Sequence, residues 1–367
     1  MGTVGYRYTS IDINSRDVLI SSILGETAEA QTDFEKNTFA FIKAWFEGAG
    51  EFTLQTSGST GAPKLMQFTR AQMEASARAT ISALGLQPEM TVLLCLDPRF
   101  VAGKMMLVRA FVGQMKIVAR EPAADPLSSP LPPIDFAALV PYQLQNTLTG
   151  NRERLDQIAT VIVGGAPVLG ETLRLLDLVR TRVILTYGMT ETLSHIALQH
   201  LNGPRKGDSF YTLPDIKISR DARGCLEIAV AWLPGVVVTN DIVEMTSDTS
   251  FVWLGRVDNV INTGGVKVSP EAIEKRLNDV KREQNLHGRL IITSLPDNML
   301  GEKVICVIEE EAPVIGRRKS LLVAISGALS KFERPREIYF LTAFPETSSG
   351  KVDRLKIREL VKKMSEN

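Results

Sequence analysis

The spacing of apolar residues along the first part of the chain predicts amphipathic helices. Over residues 31–48 the apolar positions recur at intervals of three and four, as in a helix packed on a core. A second helix is predicted over residues 69–84, because Thr69 is a suitable N-cap and Gly85 stands just past the last apolar position. Each predicted helix therefore has one apolar face that can pack against a hydrophobic core.

The next segment predicts elements that are buried on all sides. Residues 91–96 are continuously apolar, which is typical of a strand covered on both faces. Residues 103–111 predict a buried helix in which Lys104 and Arg109 interrupt an apolar pattern. Five prolines between positions 121 and 133 exclude regular structure there and predict a surface connection.

From residue 161 the pattern becomes strand, turn, helix and strand. The strands are predicted over 161–163 and 183–185, the turn over 164–167 and the helix over 169–179. This order indicates a right-handed crossover in a mostly parallel sheet. Ligands bind at the carboxyl ends of such strands, so residues 164–167 and 186–192 are predicted to line one crevice.

The predicted secondary structure changes twice in the second half of the chain. Residues 224–256 predict closely spaced antiparallel strands, and residues 257–269 predict a polar, glycine-containing loop. A helix from Pro270, strands over 289–294, 303–309 and 337–341, and a helix near 319–331 predict a small α+β domain. The predicted fold class is α/β. A large N-terminal domain of mixed and parallel sheets with flanking helices (1–256) leads through a hinge (257–258) to a small mobile C-terminal α+β domain (259–367).

Composition narrows the class of protein. Lys and Arg (42) balance Asp and Glu (42), so no net field favours nucleic acid or an anionic membrane. Cys95, Cys225 and Cys306 lie apart in apolar runs, which indicates reduced, buried thiols in a cytoplasmic protein. The first twelve residues lack the apolar segment of a signal peptide, and no apolar run is long enough to span a membrane.

One polar stretch stands out directly after the strand-like run 52–54. Residues 56–64 contain four hydroxyl groups, two glycines and Lys64, a set of donors that suits a phosphate. The spacing differs from a Walker A loop, since only Ser59 and Thr60 separate Gly58 from Gly61. A flexible surface loop is the alternative interpretation of such a stretch.

Five motifs in order carry a family resemblance. They are TSGSTGAPK at 56–64, YGMTET at 187–192, TND at 239–241, GRVD at 255–258 with Gly264-Gly265 and Pro270-Glu271, and SGKVDR at 349–354. The series resembles the acyl-adenylate-forming superfamily of acyl-CoA synthetases, adenylation domains and luciferases. The runs 186–197, 239–241 and 255–265 are similar to the o-succinylbenzoate-CoA ligases of menaquinone biosynthesis, in a shortened form.

The resemblance implies an ATP site. The pyrophosphate of ATP would be held by Thr56, Ser57, Gly58, Ser59, Thr60, Gly61 and Lys64. The adenine would lie between Tyr187, continuing into Gly188 and Met189, and the turn Gly164, Gly165, Ala166 and Pro167. Thr190 would bind the α-phosphate, Glu191 would ligate Mg²⁺, Asp241 would accept both ribose hydroxyls, and Arg256 would contact ribose or phosphate.

The resemblance also implies two moving parts. Lys351 would bridge the substrate carboxylate and the α-phosphate, and rotation about Asp258 would then bring Gly264 and Gly265 to a pantetheine tunnel for CoA. The second carboxylate of an o-succinylbenzoate substrate needs a partner in an apolar pocket. Candidates for that partner are Arg99, Lys104, Ser194 and His195.

The implied partners are therefore a small-molecule acid, ATP and CoA, with no nucleic acid and no membrane span, and a homodimer stays open. Three alternatives to an o-succinylbenzoate-CoA ligase also stay open. They are a ligase for another aromatic or short acid, a domain that loads a carrier protein, and a catalytically inactive adenylate-binding or regulatory protein.

Overall fold

The computed structural model describes residues 6–55, 65–168, 170–286, 288–311, 315–346 and 352–366. The helices over these residues are α1 Ile20–Leu24, α2 Asp33–Phe46, α3 Arg70–Leu84, α4 Val101–Gly113, α5 Pro141–Gly150, α6 Arg152–Leu155, α7 Glu171–Leu175, α8 Pro270–Glu283, α9 Ile315–Gly327 and α10 Arg354–Glu366. The strands are β1 Ser10–Ile13, β2 Arg16–Leu19, β3 Glu51–Gln55, β4 Leu65–Thr69, β5 Thr91–Leu94, β6 Lys116–Ala119, β7 Phe136–Leu139, β8 Thr160–Val163, β9 Arg182–Met189, β10 Ser194–His200, β11 Phe210–Thr212, β12 Ile216–Arg220, β13 Cys225–Val230, β14 Val236–Ser247, β15 Ser250–Arg256, β16 Ile261–Thr263, β17 Val266–Val268, β18 Leu290–Asp297, β19 Gly301–Glu309 and β20 Glu337–Leu341.

A long mixed sheet organises the first 256 residues. Its strand order is β12-β13-β14-β15-β11-β10-β9-β8-β7-β5-β6-β1-β2. The centre, from β9 through β8, β7 and β5 to β6, is parallel, and the wing from β10 to β12 is antiparallel. The predicted α/β class, with its parallel centre and its antiparallel layer over 224–256, is confirmed.

The N-terminal hairpin of β1 and β2 covers one edge of this sheet. Strand β1 runs parallel to β6, with Asp12 opposite Val118. Asp12 also accepts a hydrogen bond from the Arg120 guanidinium at 2.7 Å. Behind the hairpin, the fully buried carboxylate of Glu35 accepts a hydrogen bond from Asn14 at 2.8 Å. Charged and amide groups thus fix the first strand to the sheet.

A smaller sheet organises the residues after 259. Its order is β17-β16-β19-β18, with β20 parallel to β19. Helices α8 and α9 cover one face, and α10 packs on the other. Arg354 at the start of α10 donates to the Glu274 carboxylate of α8 at 2.6 Å and to the Ile292 carbonyl at 3.1 Å. This half-buried ion pair joins α8 and α10 at the edge strand β18.

The end signals of α3 are confirmed. Thr69 caps the helix in a capping box with Gln72, and Gly85 adopts the left-handed backbone at the C-terminus. The buried helix predicted over 103–111 is α4, and the proline-rich segment contains no helix or strand.

Three predicted elements were wrong in extent. The helix predicted over 169–179 is only α7 followed by a 3₁₀ turn over Leu176–Leu178, because the apolar pattern there is met by packing on the sheet rather than by a long helix. The helix predicted near 319–331 is α9, which begins and ends earlier. The loop predicted over 257–269 contains the β16–β17 hairpin, whose turn is Gly264-Gly265, both with positive φ as a tight two-residue turn requires.

Candidate active site

The end of β9 carries the first group of predicted site residues. Strand β9 runs through Tyr187 to Met189 and passes into a 3₁₀ turn over Thr190–Thr192. The Thr192 hydroxyl accepts a hydrogen bond from the Met189 N–H at 3.0 Å and donates to the Ser194 carbonyl at 2.7 Å. This bracing holds Thr190 buried and the Glu191 side chain half-buried at the carboxyl end of a central strand.

Gly188 lets β10 cross β9 closely. A Cβ atom at this position would lie 2.3 Å from the Ser194 carbonyl oxygen and 2.4 Å from the His195 Cα. Both neighbours are backbone atoms that a side chain cannot displace cheaply. The glycine of the YGMTET motif is therefore a packing requirement.

The turn after β8 lies beside the same strand. A Cβ on Gly164 would lie 2.6 Å from the Thr186 hydroxyl, directly before Tyr187, and Gly165 has a φ of +95°. The structure thus brings the predicted turn 164–167 next to the start of the YGMTET motif. The two segments form adjacent walls at the carboxyl ends of β8 and β9, as the sequence predicted.

Asp241 joins the antiparallel wing to these walls. Its buried carboxylate accepts hydrogen bonds from the Tyr187 hydroxyl at 2.6 Å and from the Trp253 indole at 3.1 Å. Arg256, opposite Asp241 in the β14–β15 register, places its guanidinium 3.6 Å from the same carboxylate. Burial, and then the charge of Asp241, raises the pKa of Tyr187, so this hydroxyl stays a donor.

The Asp241 carboxylate retains lone pairs that can accept hydrogen bonds from further O–H donors. Trp253 was missed by the sequence reasoning. An indole three positions before Arg256 gives no local signal, because it reaches Asp241 diagonally from a position opposite Val243.

The segment after β15 connects the two sheets. Asp258 accepts hydrogen bonds from Asn240 at 3.1 Å and from Arg256 at 2.8 Å. Gly255 has a φ of +139°, and a Cβ there would lie 2.7 Å from side-chain oxygens of both Ser269 and Glu271. The start of α8 therefore presses on the end of β15.

A buried polar cluster lies behind β10. Arg109 of α4 is 2% exposed, and its Nη2 lies 2.8 Å from the Ser194 hydroxyl and 3.5 Å from His195 Nδ1. The Nε–H of Arg109 has no hydrogen-bond partner, and no carboxylate pairs with this guanidinium within the part of the chain that the structure describes. Burial lowers the pKa of Arg109 to about 9, which still leaves it charged at neutral pH.

The cluster contains two of the four residues predicted for the acid pocket. Ser194 and His195 contact Arg109, whereas Lys104 donates to the Thr53 carbonyl at 3.2 Å and Arg99 forms an exposed ion pair with Asp97. Arg109 was missed as a site residue. Its signal was a lone arginine in the apolar pattern of α4.

Several predicted site residues lie outside the described part of the chain. They are Thr56, Ser57, Gly58, Ser59, Thr60, Gly61, Lys64 and Lys351. The structure shows the flanks only. Gln55 pairs with Leu65 at the end of the β3–β4 hairpin that leads into residues 56–64, and Glu346 bridges to Val352.

The described side chains offer few ligands for a divalent cation. Within the described ranges no group of three or more His, Cys, Asp and Glu side chains could hold a metal unaided. Glu191 offers a single carboxylate, and this fits Mg²⁺, which is usually held by one or two carboxylates together with phosphate oxygens. Over the same residues no helix is both long and apolar enough to cross a membrane.

Comparison with known proteins identifies the family of the chain. The family model described as AMP-binding enzyme matches residues 52–217. A solved structure from Dyadobacter fermentans, an acyl-CoA synthetase (AMP-forming)/AMP-acid ligase II-like protein, is 37% identical, covers 92% of this chain and 97% of that chain, and has a TM-score of 0.62. The chain belongs to the AMP-binding, adenylate-forming family of acid–CoA ligases.

Within that family, the chain is similar to ligases for one aromatic acid. The probable 2-succinylbenzoate–CoA ligase of Mycobacterium tuberculosis is 28% identical over 327 residues, which cover 82% of this chain and 81% of the relative. The O-succinylbenzoate coenzyme A synthetase of Bacillus subtilis, solved with ATP and magnesium ion, has a TM-score of 0.70 at 19% identity over 83% of this chain and 69% of its own. That second likeness shows a shared fold.

Proposed function

We propose that this protein is an ATP-dependent ligase that converts 2-succinylbenzoate to its CoA thioester. The observation that carries the choice of acid is the buried Arg109 guanidinium, which has an unpartnered N–H and no carboxylate partner among the described residues. A buried cation without a counter-ion is costly. An acid with a second carboxylate would supply that counter-ion.

The reaction has two steps. In the first, an oxygen of the succinyl carboxylate attacks the α-phosphorus of ATP, and the bond to pyrophosphate breaks. In the second, the sulfur of CoA attacks the acyl carbon, AMP leaves with the electrons of the C–O bond, and the thiol proton is released. Two anions meet in the first step, so placed donors and cations are the main source of rate enhancement.

The described residues supply the nucleotide part of this site. Tyr187 and the turn 164–167 flank the adenine, Asp241 accepts the ribose hydroxyls, and Arg256 lies within reach of ribose or phosphate. Thr190 binds the α-phosphate from its turn at the end of β9. Bound Mg²⁺ would neutralise phosphate charge, and Glu191 is the carboxylate that would hold it.

The family resemblance assigns the remaining roles, and residues 56–64 and Lys351 among them lie outside the described residues. Residues 56–64, with Lys64, hold the pyrophosphate, and Lys351 bridges the reacting carboxylate and phosphate. Rotation at Asp258 then withdraws Lys351 and brings Gly264 and Gly265 to the pantetheine arm of CoA. Glycines suit that role because a thin chain can approach their backbone closely.

Acid-dependent exchange of labelled pyrophosphate into ATP tests the adenylation step. The panel should contain 2-succinylbenzoate and matched monocarboxylate aromatic acids, with mass-spectrometric detection of the CoA ester. We expect exchange and ester formation with 2-succinylbenzoate. If no acid in the panel supports exchange, the protein is not a ligase for these acids and the proposal is refuted. Exchange without formation of a CoA ester would favour carrier-protein loading. A preference for monocarboxylate acids would refute 2-succinylbenzoate as the substrate.

The Lys351→Ala variant tests the two-conformation mechanism. We expect adenylation to be lost while thioester formation from supplied acyl-adenylate is retained, because Lys351 serves only the first step. An equal loss in both half-reactions would contradict domain rotation.

A further inference from the structure

A chain of hydrogen bonds behind β10 ends on Arg109. His195 Nδ1 lies 3.5 Å from Arg109 Nη2, and His195 Nε2 lies 3.0 Å from the Thr80 hydroxyl of α3. The Thr80 hydroxyl in turn donates to the Ser76 carbonyl at 3.3 Å. Thr80, His195 and Arg109 are all buried, so these contacts are formed without competition from solvent.

The proton positions in this chain follow from the donors at its two ends. A guanidinium can only donate, so His195 Nδ1 must be the acceptor and carries no proton. A neutral ring carries one proton, so Nε2 carries it and donates to the Thr80 hydroxyl, whose own proton stays available for the Ser76 carbonyl. The geometry therefore selects the neutral imidazole with its proton on Nε2.

The backbone at the start of β10 is also unusual. Leu193 has a φ of +62° and Ser194 a φ of +135°, a region that residues with a side chain rarely adopt. Such strain persists only where the surroundings fix it, and it concentrates at functional sites. Here it directs the Ser194 hydroxyl and the His195 ring to the same guanidinium nitrogen.

We propose that His195 and Thr80 are positioning residues that hold Arg109 ready for the second carboxylate of the acid. This inference rests on the proposed function. A neutral imidazole orients the guanidinium without neutralising it, whereas an Asp or Glu at this place would form an ion pair that the substrate would have to displace. A protonated imidazole would repel Arg109 and offer no acceptor.

The arrangement therefore makes the site selective for a dianionic acid. Ser194 and His195 occupy Nη2, while the Nε–H stays without a protein partner. A ligand carboxylate that reaches this guanidinium would supply both an acceptor and the missing negative charge. A monocarboxylate analogue, whose one carboxylate must reach the nucleotide, leaves Arg109 uncompensated.

Kinetics of four variants test the positioning role. His195→Leu should raise the KM for 2-succinylbenzoate about 10- to 100-fold and leave the KM for ATP unchanged. His195→Gln keeps an acceptor and a donor and should restore most of the loss. Thr80→Val should have a smaller effect of about threefold to tenfold, which Thr80→Ser should reverse. Equal rises in both KM values, or no rise, would overturn the inference.

A second measurement, on the wild-type protein, requires neither catalytic turnover nor a correctly folded His195→Leu variant. Nitrogen NMR of the ring-labelled wild-type protein at pH 7, with the His195 signal identified by its loss in His195→Gln, should show a neutral ring protonated on Nε2. A proton on Nδ1, or an imidazolium, would overturn the inference whatever the substrate. Inactivity of the wild-type protein on every dicarboxylate acid would instead overturn the proposed function and this inference with it, so the two failures are distinct.

Discussion

Replacing Arg109 by methionine should weaken catalysis and strengthen the fold at the same time. The Arg109 side chain is 2% exposed and has no carboxylate partner among the described residues, so it lowers the free energy of unfolding of the substrate-free protein. Burial lowers the pKa of Arg109 to about 9, more than three units below its ordinary value. At about 1.4 kcal/mol per unit, the buried charge costs the fold on the order of 4 kcal/mol.

The net gain from the substitution is smaller than that cost. Methionine fills similar space, but it leaves the Ser194 hydroxyl and His195 Nδ1 without their donor, at about 1 kcal/mol each. We therefore expect Arg109→Met to raise the free energy of unfolding by about 2 kcal/mol, measured by urea denaturation.

The same substitution should have the opposite effect on catalysis. Without the guanidinium, the second carboxylate of the acid is buried unpaired, which costs about 2–4 kcal/mol. This corresponds to a fall of about 30- to 1,000-fold in kcat/KM for 2-succinylbenzoate, with the KM for ATP unchanged.

Lys104→Met is the matched control for this variant. It removes a half-buried cation from the same helix, but one that contacts the Thr53 carbonyl rather than the cluster at Ser194. We expect it to spare the kinetics of the acid. If Arg109→Met lost stability and activity together, or left the kinetics of the acid unchanged, Arg109 would be a structural residue and the reasoning would fail.

Three further outcomes follow from described contacts. Trp253→Phe removes a donor to the Asp241 carboxylate, so the KM for ATP should rise about threefold to tenfold while that for the acid is constant; steady-state kinetics with equal changes would contradict this role. Arg354→Met leaves Glu274 buried without its cation and should lower the free energy of unfolding by about 3–5 kcal/mol, most of which Glu274→Leu in the same chain should restore; an additive loss in urea denaturation would contradict the pairing. Burial, and then the charge of Arg109, lowers the pKa of His195 well below its ordinary value, so this group's contribution to stability is present above about pH 6.5 and is lost as the pH falls towards the folded-state pKa; pH-dependent unfolding of His195→Gln identical to that of the wild type would contradict it.

Local signals predicted much of the fold. Thr69 and Gly85 marked the ends of α3 because capping depends on a few neighbouring residues. The helix predicted over 169–179 is an α-helix only to Leu175 and continues as a 3₁₀ turn over Leu176–Leu178, because apolar spacing does not distinguish the two hydrogen-bonding patterns.

In the candidate site, too, local motifs were predictable from the sequence, whereas contacts set by tertiary packing were not. Motifs indicate Asp241 and Tyr187, whereas only the folded β14–β15 pair reveals Trp253, which is opposite Val243 and reaches the Asp241 carboxylate diagonally through its indole N–H. Lys104 and Arg109 both interrupt the apolar pattern of one helix. Five positions on a helix of 3.6 residues per turn place their side chains about 140° apart, so only one of them could face Ser194, and the sequence could not say which.

The pairing of β1 with β6 also bears on how the chain folds during synthesis. Asp12 is made early, yet its partner Val118 emerges from the ribosome more than a hundred residues later. The closing of this long loop is entropically unfavourable and favours slow folding. Until the first hairpin docks, β6 presents an open edge to which another nascent chain could add a strand. The yield of folded protein should therefore depend on how quickly β1 pairs with β6, a strand that is synthesised about a hundred residues later.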